Sequence, residues 1–168
     1  MIGETEAALR GDLEAALGVA RWVDEVAASA PFADLDELLG VAASAATPLS
    51  ESEIDEAMAH HPRIGERPTG DGAAAAFSRT EQASLGAASS SATDDEVLAA
   101  AIAEGNRRYE DRFGRIFLIR AAGRSKREIL EELERRLDLD ERSELALVGT
   151  ELRDIALIRL EKTYGDPQ

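Results

Sequence analysis

Residues 125–137 read SKREILEELERRL, and this stretch decides the fold class. Ser125 is followed three residues later by Glu128. That is the form of a capping box, in which the two side chains satisfy each other's backbone N–H groups at a helix start. The residues after it are mostly leucine, glutamate and arginine, which lose little freedom on entering a helix. Ser50-x-x-Glu53, Ser78-x-x-Glu81 and Thr93-x-x-Glu96 repeat the signature, and Asp140 stands as a further cap. The chain therefore reads as all-α, a single-domain helical bundle over residues 1–168. The expected helices cover 4–16, 18–30, 35–46, 51–60, 79–88, 94–113, 126–137 and 141–163.

Two stretches depart from this pattern. Gly65 to Ala76, GERPTGDGAAAA, carries Gly, Pro and Asp punctuation and reads as a long loop. Gly114-Arg115-Ile116-Phe117-Leu118-Ile119-Arg120 has strand-like composition, yet no other segment looks able to pair with it. A short extended segment near 115–121 leaves backbone donors and acceptors that need partners. A bound ligand could supply them, and so could buried side chains and water.

The length suits one domain with a real core. The chain has no cysteine, which excludes disulfides, thiolate metal sites and a cysteine nucleophile. A formal charge of −15 argues against nucleic-acid or anionic-membrane partners, which need a positive footprint. The first residues lack the basic start and apolar run of a signal peptide, and no apolar run approaches the roughly 20 residues of a membrane span. A cytoplasmic protein is expected.

Three residues could carry chemistry. His61, one of two histidines, precedes Pro62, and the residue before a proline is pushed out of helical geometry. An imidazole at a helix end can enter a cleft and titrate near neutral pH; an ordinary surface histidine fits the same position. Arg159 continues the stripe Val148, Leu152, Ile155 on the last helix, which places a guanidinium toward the core. An internal salt bridge, a snorkelling side chain or an anionic ligand would each account for it. Glu81 occupies the third position after Ser78, so capping alone explains it locally. Tyr109, Phe113 and Trp22 read as core. His60, His61 and Glu56 lie close in sequence but show no metal-ligand spacing.

Taken in order, His61-Pro62-Arg63-Ile64-Gly65, Ser78-x-x-Glu81-Gln82, Asn106-x-x-Tyr109-x-x-Arg112-Phe113-Gly114 and Ile155-Ala156-Leu157-Ile158-Arg159-Leu160 resemble the OHCU decarboxylase family. Arg21-Trp22 and Pro31-Phe32 fit as well, so the similarity covers nearly the whole chain. Ser84 after Ala83 departs mildly from a frequent glycine. The resemblance implies an all-α homodimer that decarboxylates 2-oxo-4-hydroxy-4-carboxy-5-ureidoimidazoline to (S)-allantoin in urate breakdown, with no cofactor and no metal. It makes His61 the acid/base and Glu81 its catalytic partner. Pro62, Arg159 and the backbone of Phe117, Leu118 and Ile119 become substrate-binding positions, and His60 has no matching role. The end Gly165-Asp166-Pro167-Gln168 lacks the peroxisomal tripeptide of some members, which again implies the cytoplasm. The rival readings are a non-enzymatic acidic helical interaction module and a metal-dependent hydrolase.

Overall fold

The computed structural model describes residues 1–3, 5–65, 73–83 and 92–165. Among them are eight helices: α1 (Glu6–Ala16), α2 (Ala20–Ala28), α3 (Leu35–Ala45), α4 (Glu51–Met58), α5 (Ala73–Ala83), α6 (Ala92–Phe113), α7 (Lys126–Leu137) and α8 (Glu141–Tyr164). One antiparallel bridge, Ile2 to Phe32, is the extended pairing of the described residues. The protein is all-α, as expected. Glu4, residues 66–72 of the expected loop, Ser84 with the expected helical residues 84–88, and the terminal residues 166–168 lie outside the described residues.

The capping boxes at Ser50 and Ser125 form in full. Ser50 Oγ accepts from Glu53 N at 3.3 Å and Ser50 N donates to Glu53 at 2.7 Å. The corresponding Ser125–Glu128 distances are 3.2 and 2.7 Å. Asp140 caps α8 by accepting from Ser143 N and Oγ at 2.9 and 2.6 Å. The other two boxes are corrected. Helix α5 begins at Ala73, six residues before the expected 79, because the run Ala73 to Ala76 prefers helix to loop. Ser78 is therefore an interior helical residue, only 3% exposed, rather than the N-cap of its helix. Thr93 likewise lies inside α6, which starts at Ala92.

The chain divides into two compact units. The first comprises residues 1–60, 72–74 and 149–168. Here α1 packs on α2 and α2 on α3, around Leu9, Leu13, Val26, Phe32, Leu38 and the α8 residues Leu152 and Ile155. Trp22 is fully buried and donates its indole N–H to the Ala42 carbonyl at 2.9 Å. Helix α4 is fastened to α2 by its carboxylates. Glu56 accepts the Ala20 N–H at 3.0 Å, and Glu53 takes the Arg21 guanidinium at 2.5 Å. Arg21, with help from Ser50, holds the Glu53 carboxyl down to about 2.

The second unit comprises residues 61–71 and 75–148. Helices α6 and α7 pack closely in it, because Gly105 presents no side chain. A Cβ there would lie 2.4 Å from Leu133 Cδ2. The core holds Ile64, Ile102, Tyr109, Phe113, Phe117, Ile119, Ile129 and Leu133. The Tyr109 ring lies 4.7 Å from Phe113 and 5.3 Å from Phe117, centre to centre. In this core sits an ion pair that the sequence reading did not find. Arg136 and Glu144 are fully buried and meet through Nε at 2.8 and 3.0 Å and through Nη2. The Tyr109 hydroxyl donates to the same carboxylate. Burial and that carboxylate raise the Tyr109 pKa far above its ordinary value.

Breaking a buried pair from one side strands a desolvated charge. Glu144→Ala should therefore cost about 3–5 kcal/mol in urea unfolding, and a loss near zero would show that the pair is hydrated. The folded-state pKa of Glu53 is depressed, so its contribution to stability is present above about 4.5 and is lost as pH falls toward 2. In thermal melts, Glu53→Gln should lie well below the parent at pH 7, with the gap closing between those two pH values. A pH-independent gap would assign the effect to packing instead.

Candidate active site

Helix α4 stops at Met58, a turn follows, and His61 to Arg63 run outside any helix, as Pro62 demands. His61 and Pro62 are half-buried, and His61 Nε2 is shielded from solvent. The residues just after them are fixed one by one. Arg63 pairs with Glu110 of α6 through Nε and through Nη2 at 2.9 Å, which holds the Glu110 carboxyl below its ordinary range. Ile64 enters the core, and its carbonyl accepts Asn106 Nδ2 at 3.1 Å. Gly65 N donates to Gln82 Oε1 of α5 at 3.1 Å. Gly65 has φ +90°, the left-handed region that favours glycine, and this explains a glycine at the end of the segment.

Glu81 is half-buried, next to Gln82 in the last turn of α5. With Ser78 inside the helix, capping no longer accounts for Glu81. The Gly65–Gln82 bond brings the Glu81 turn alongside the His61 segment.

Phe117, Leu118 and Ile119 are non-helical, as expected, and find no ladder partner among the described residues. Their side chains are 1–3% exposed, so they belong to the core and leave only backbone for recognition. Part of that backbone is already used. Arg136 Nη1 donates to the Leu118 carbonyl at 2.7 Å, and the Arg136 guanidinium lies 4.8 Å from the Phe117 ring centre. A buried side chain, rather than a ligand, thus answers one of the groups the sequence left open.

Arg159 is 2% exposed, and Val148, Leu152 and Ile155 are buried with it, so the inward stripe is real. Its Nη1 donates to the carbonyls of Ala15 and Ala16, both at 3.3 Å, at the C-terminus of α1. That helix end carries the partial negative charge a cation seeks. His61, Glu81 and residues 117–119 belong to the second unit, and Arg159 to the first.

The two histidines have different surroundings. His60 is exposed and lines a cavity of about 330 Å³ with Glu14, Asp24 and Glu56. A larger cavity, about 410 Å³, is lined by Arg63, Ile64, Ile102, Asn106, Glu110 and Lys126 among others. None of the sequence-predicted site residues borders it, although Arg63 and Ile64 directly follow His61 and Pro62 in the chain. Among the described residues no three His, Asp or Glu side chains are grouped to hold a metal ion, and no helix is long and apolar enough to cross a membrane.

The described geometry thus gives a half-buried imidazole next to an anchored segment, with a half-buried carboxylate on the helix that segment is tied to. Comparison with known proteins specifies the family. The OHCU decarboxylase family model matches residues 4–161. The 2-oxo-4-hydroxy-4-carboxy-5-ureidoimidazoline decarboxylase of Haloferax volcanii is 31% identical over 145 residues, covering 86% of this chain and 82% of that protein. A crystal structure of OHCU decarboxylase in the presence of (S)-allantoin superposes with a TM-score of 0.76 at 25% identity, covering 93% of this chain and 99% of the other. The chain belongs to the OHCU decarboxylase family and is accordingly a carboxy-lyase of purine breakdown.

The glycine requirement is open to test. Gly65→Ala places a Cβ at φ +90° and should cost about 1–3 kcal/mol, although nothing stands within 4 Å to obstruct it. An unchanged melting temperature would mean that the turn relaxes freely.

Proposed function

We propose that this protein decarboxylates 2-oxo-4-hydroxy-4-carboxy-5-ureidoimidazoline to (S)-allantoin without a cofactor, with His61 handling the proton. The observation that carries this reading is the His61 segment, tied at Gly65 to the helix turn that bears Glu81. It stands in a chain that the family model matches almost throughout.

Breaking the bond to the carboxylate leaves an electron pair on a ring carbon. The conjugated C=N of the substrate accepts that pair, so the electron sink lies in the substrate itself. Carbon dioxide departs as the pair forms a C=C bond to the former imine carbon and the imine nitrogen takes up a proton. The resulting enol then gives up its hydroxyl proton to become a carbonyl while the former imine carbon takes one proton on a single face, which completes the product. His61 moves that proton, a role worth about 10²–10⁴ in rate. Glu81 accepts hydrogen bonds from ring or ureido N–H groups and fixes their orientation. Arg159 takes an anionic or carbonyl oxygen through charge-assisted hydrogen bonds. Pro62 and the backbone N–H groups around Phe117, Leu118 and Ile119 complete the recognition. We assign the chain to the cytoplasm, acting as one domain in a homodimer on an anionic small molecule.

The test generates the unstable substrate from urate in situ and follows circular dichroism as chelator-treated protein is added. Rapid appearance of one allantoin enantiomer is expected. His61→Asn and Glu81→Ala should each lower turnover by about 10²–10⁴ with the fold intact, whereas His60→Ala should retain it. Decay no faster than the spontaneous racemic reaction would leave a helical binding module in place of an enzyme. Full activity in His61→Asn would remove the proposed acid/base.

A further inference from the structure

Two residues of α6 hold the segment that follows His61. Asn106 and Glu110 are four apart and so share one face of that helix. From that face Glu110 takes the Arg63 guanidinium, and Asn106 Nδ2 takes the Ile64 carbonyl. Between the anchored Ile64 and His61 stand only Arg63, whose side chain is itself anchored, and Pro62, whose ring locks φ. Few backbone torsions remain by which the His61 Cα could move independently of α6.

Asn106 is an odd residue for this position unless the donor is required. It is 6% exposed, between Ile102 and Tyr109, both of them core. Its amide orientation is unambiguous, because a carbonyl can only accept and the group facing Ile64 must be the NH2. The price of this orientation is Oδ1, which is buried and has no hydrogen-bond partner among the described residues. An apolar side chain would avoid that desolvation penalty and would suit a helix interior better than asparagine. What an apolar residue cannot do is hold the Ile64 carbonyl. Glu104 and Arg107 on the same helix offer a contrast, since their ion pair is exposed and local.

We propose that Asn106, with the Arg63–Glu110 ion pair, is a positioning element for His61. Helix α6 grips the two residues after Pro62 and so sets the imidazole where proton transfer requires it, without Asn106 touching the substrate. The proposal rests on the reading of His61 as the proton-handling group.

The experiment uses the full chain and two readouts. The protein has only two histidines, so the ring resonances of His61 can be followed by NMR with those of His60 as an internal reference. Asn106→Leu keeps the bulk and removes both the donor and the orphaned acceptor. Glu110→Gln breaks the ion pair on the partly exposed side and covers the case in which Asn106→Leu fails to fold. In each folded variant the His61 resonances should move while those of His60 stay. Turnover should fall about 10–100-fold with KM little changed, and Glu104→Gln should do neither. Unmoved His61 resonances, or moved resonances with unaltered turnover, would overturn the proposal. If the parent protein fails to decarboxylate, the functional reading has failed, and the resonances alone decide whether α6 positions the ring.

Discussion

The buried pair of Arg136 and Glu144 is the constraint on which the second unit depends. A helical core has no natural place for an extended stretch, because the unpaired backbone of that stretch must find partners away from water. Arg136 resolves this by turning one side of its guanidinium to Glu144 and the other to the Leu118 carbonyl, with its plane over Phe117. Glu144 in turn takes the Tyr109 hydroxyl. One charged node thus joins α6, α7, the start of α8 and residues 117–119. Desolvating two charges is costly, and the cost is tolerable only because both are extensively hydrogen-bonded.

Helix α6 connects that node to the segment that follows His61. Tyr109 and Phe113 face the aromatic core, while Asn106 and Glu110 face the segment that follows His61. The far end of that segment is tied to α5 through Gly65 and Gln82. The segment that follows His61 is therefore placed by polar contacts between elements, two of them made from a helix whose own position is fixed by apolar packing.

Much of the architecture was legible in the sequence because helix starts are local events. Ser50, Ser125 and Asp140 announced their helices, and the structure forms all three caps. Ser78 misled for the same reason. A Ser-x-x-Glu inside a helix looks identical to one at its start, and only the preceding alanine run distinguishes them. The inward position of Arg159 followed from its spacing, and the same reasoning applied to Ile129, Leu133 and Arg136 would have exposed the buried arginine of α7. The partners were not legible. Arg63 and Glu110 are 47 residues apart, and nothing in a local pattern joins them. The family was legible in the order of weak motifs along the chain, not in the surroundings of His61 or Glu81 alone.

The carbonyls at the end of α1 give Arg159 a particular character. Two peptide oxygens already hold one nitrogen of its guanidinium in a fixed direction. A cation kept in that way has surrendered its water before any ligand arrives, and its planar fork cannot turn to follow a misplaced oxygen. An anion reaching it would therefore encounter a rigid, dehydrated charge whose field is tempered by the helix end behind it. Such a charge discriminates by angle more than by strength.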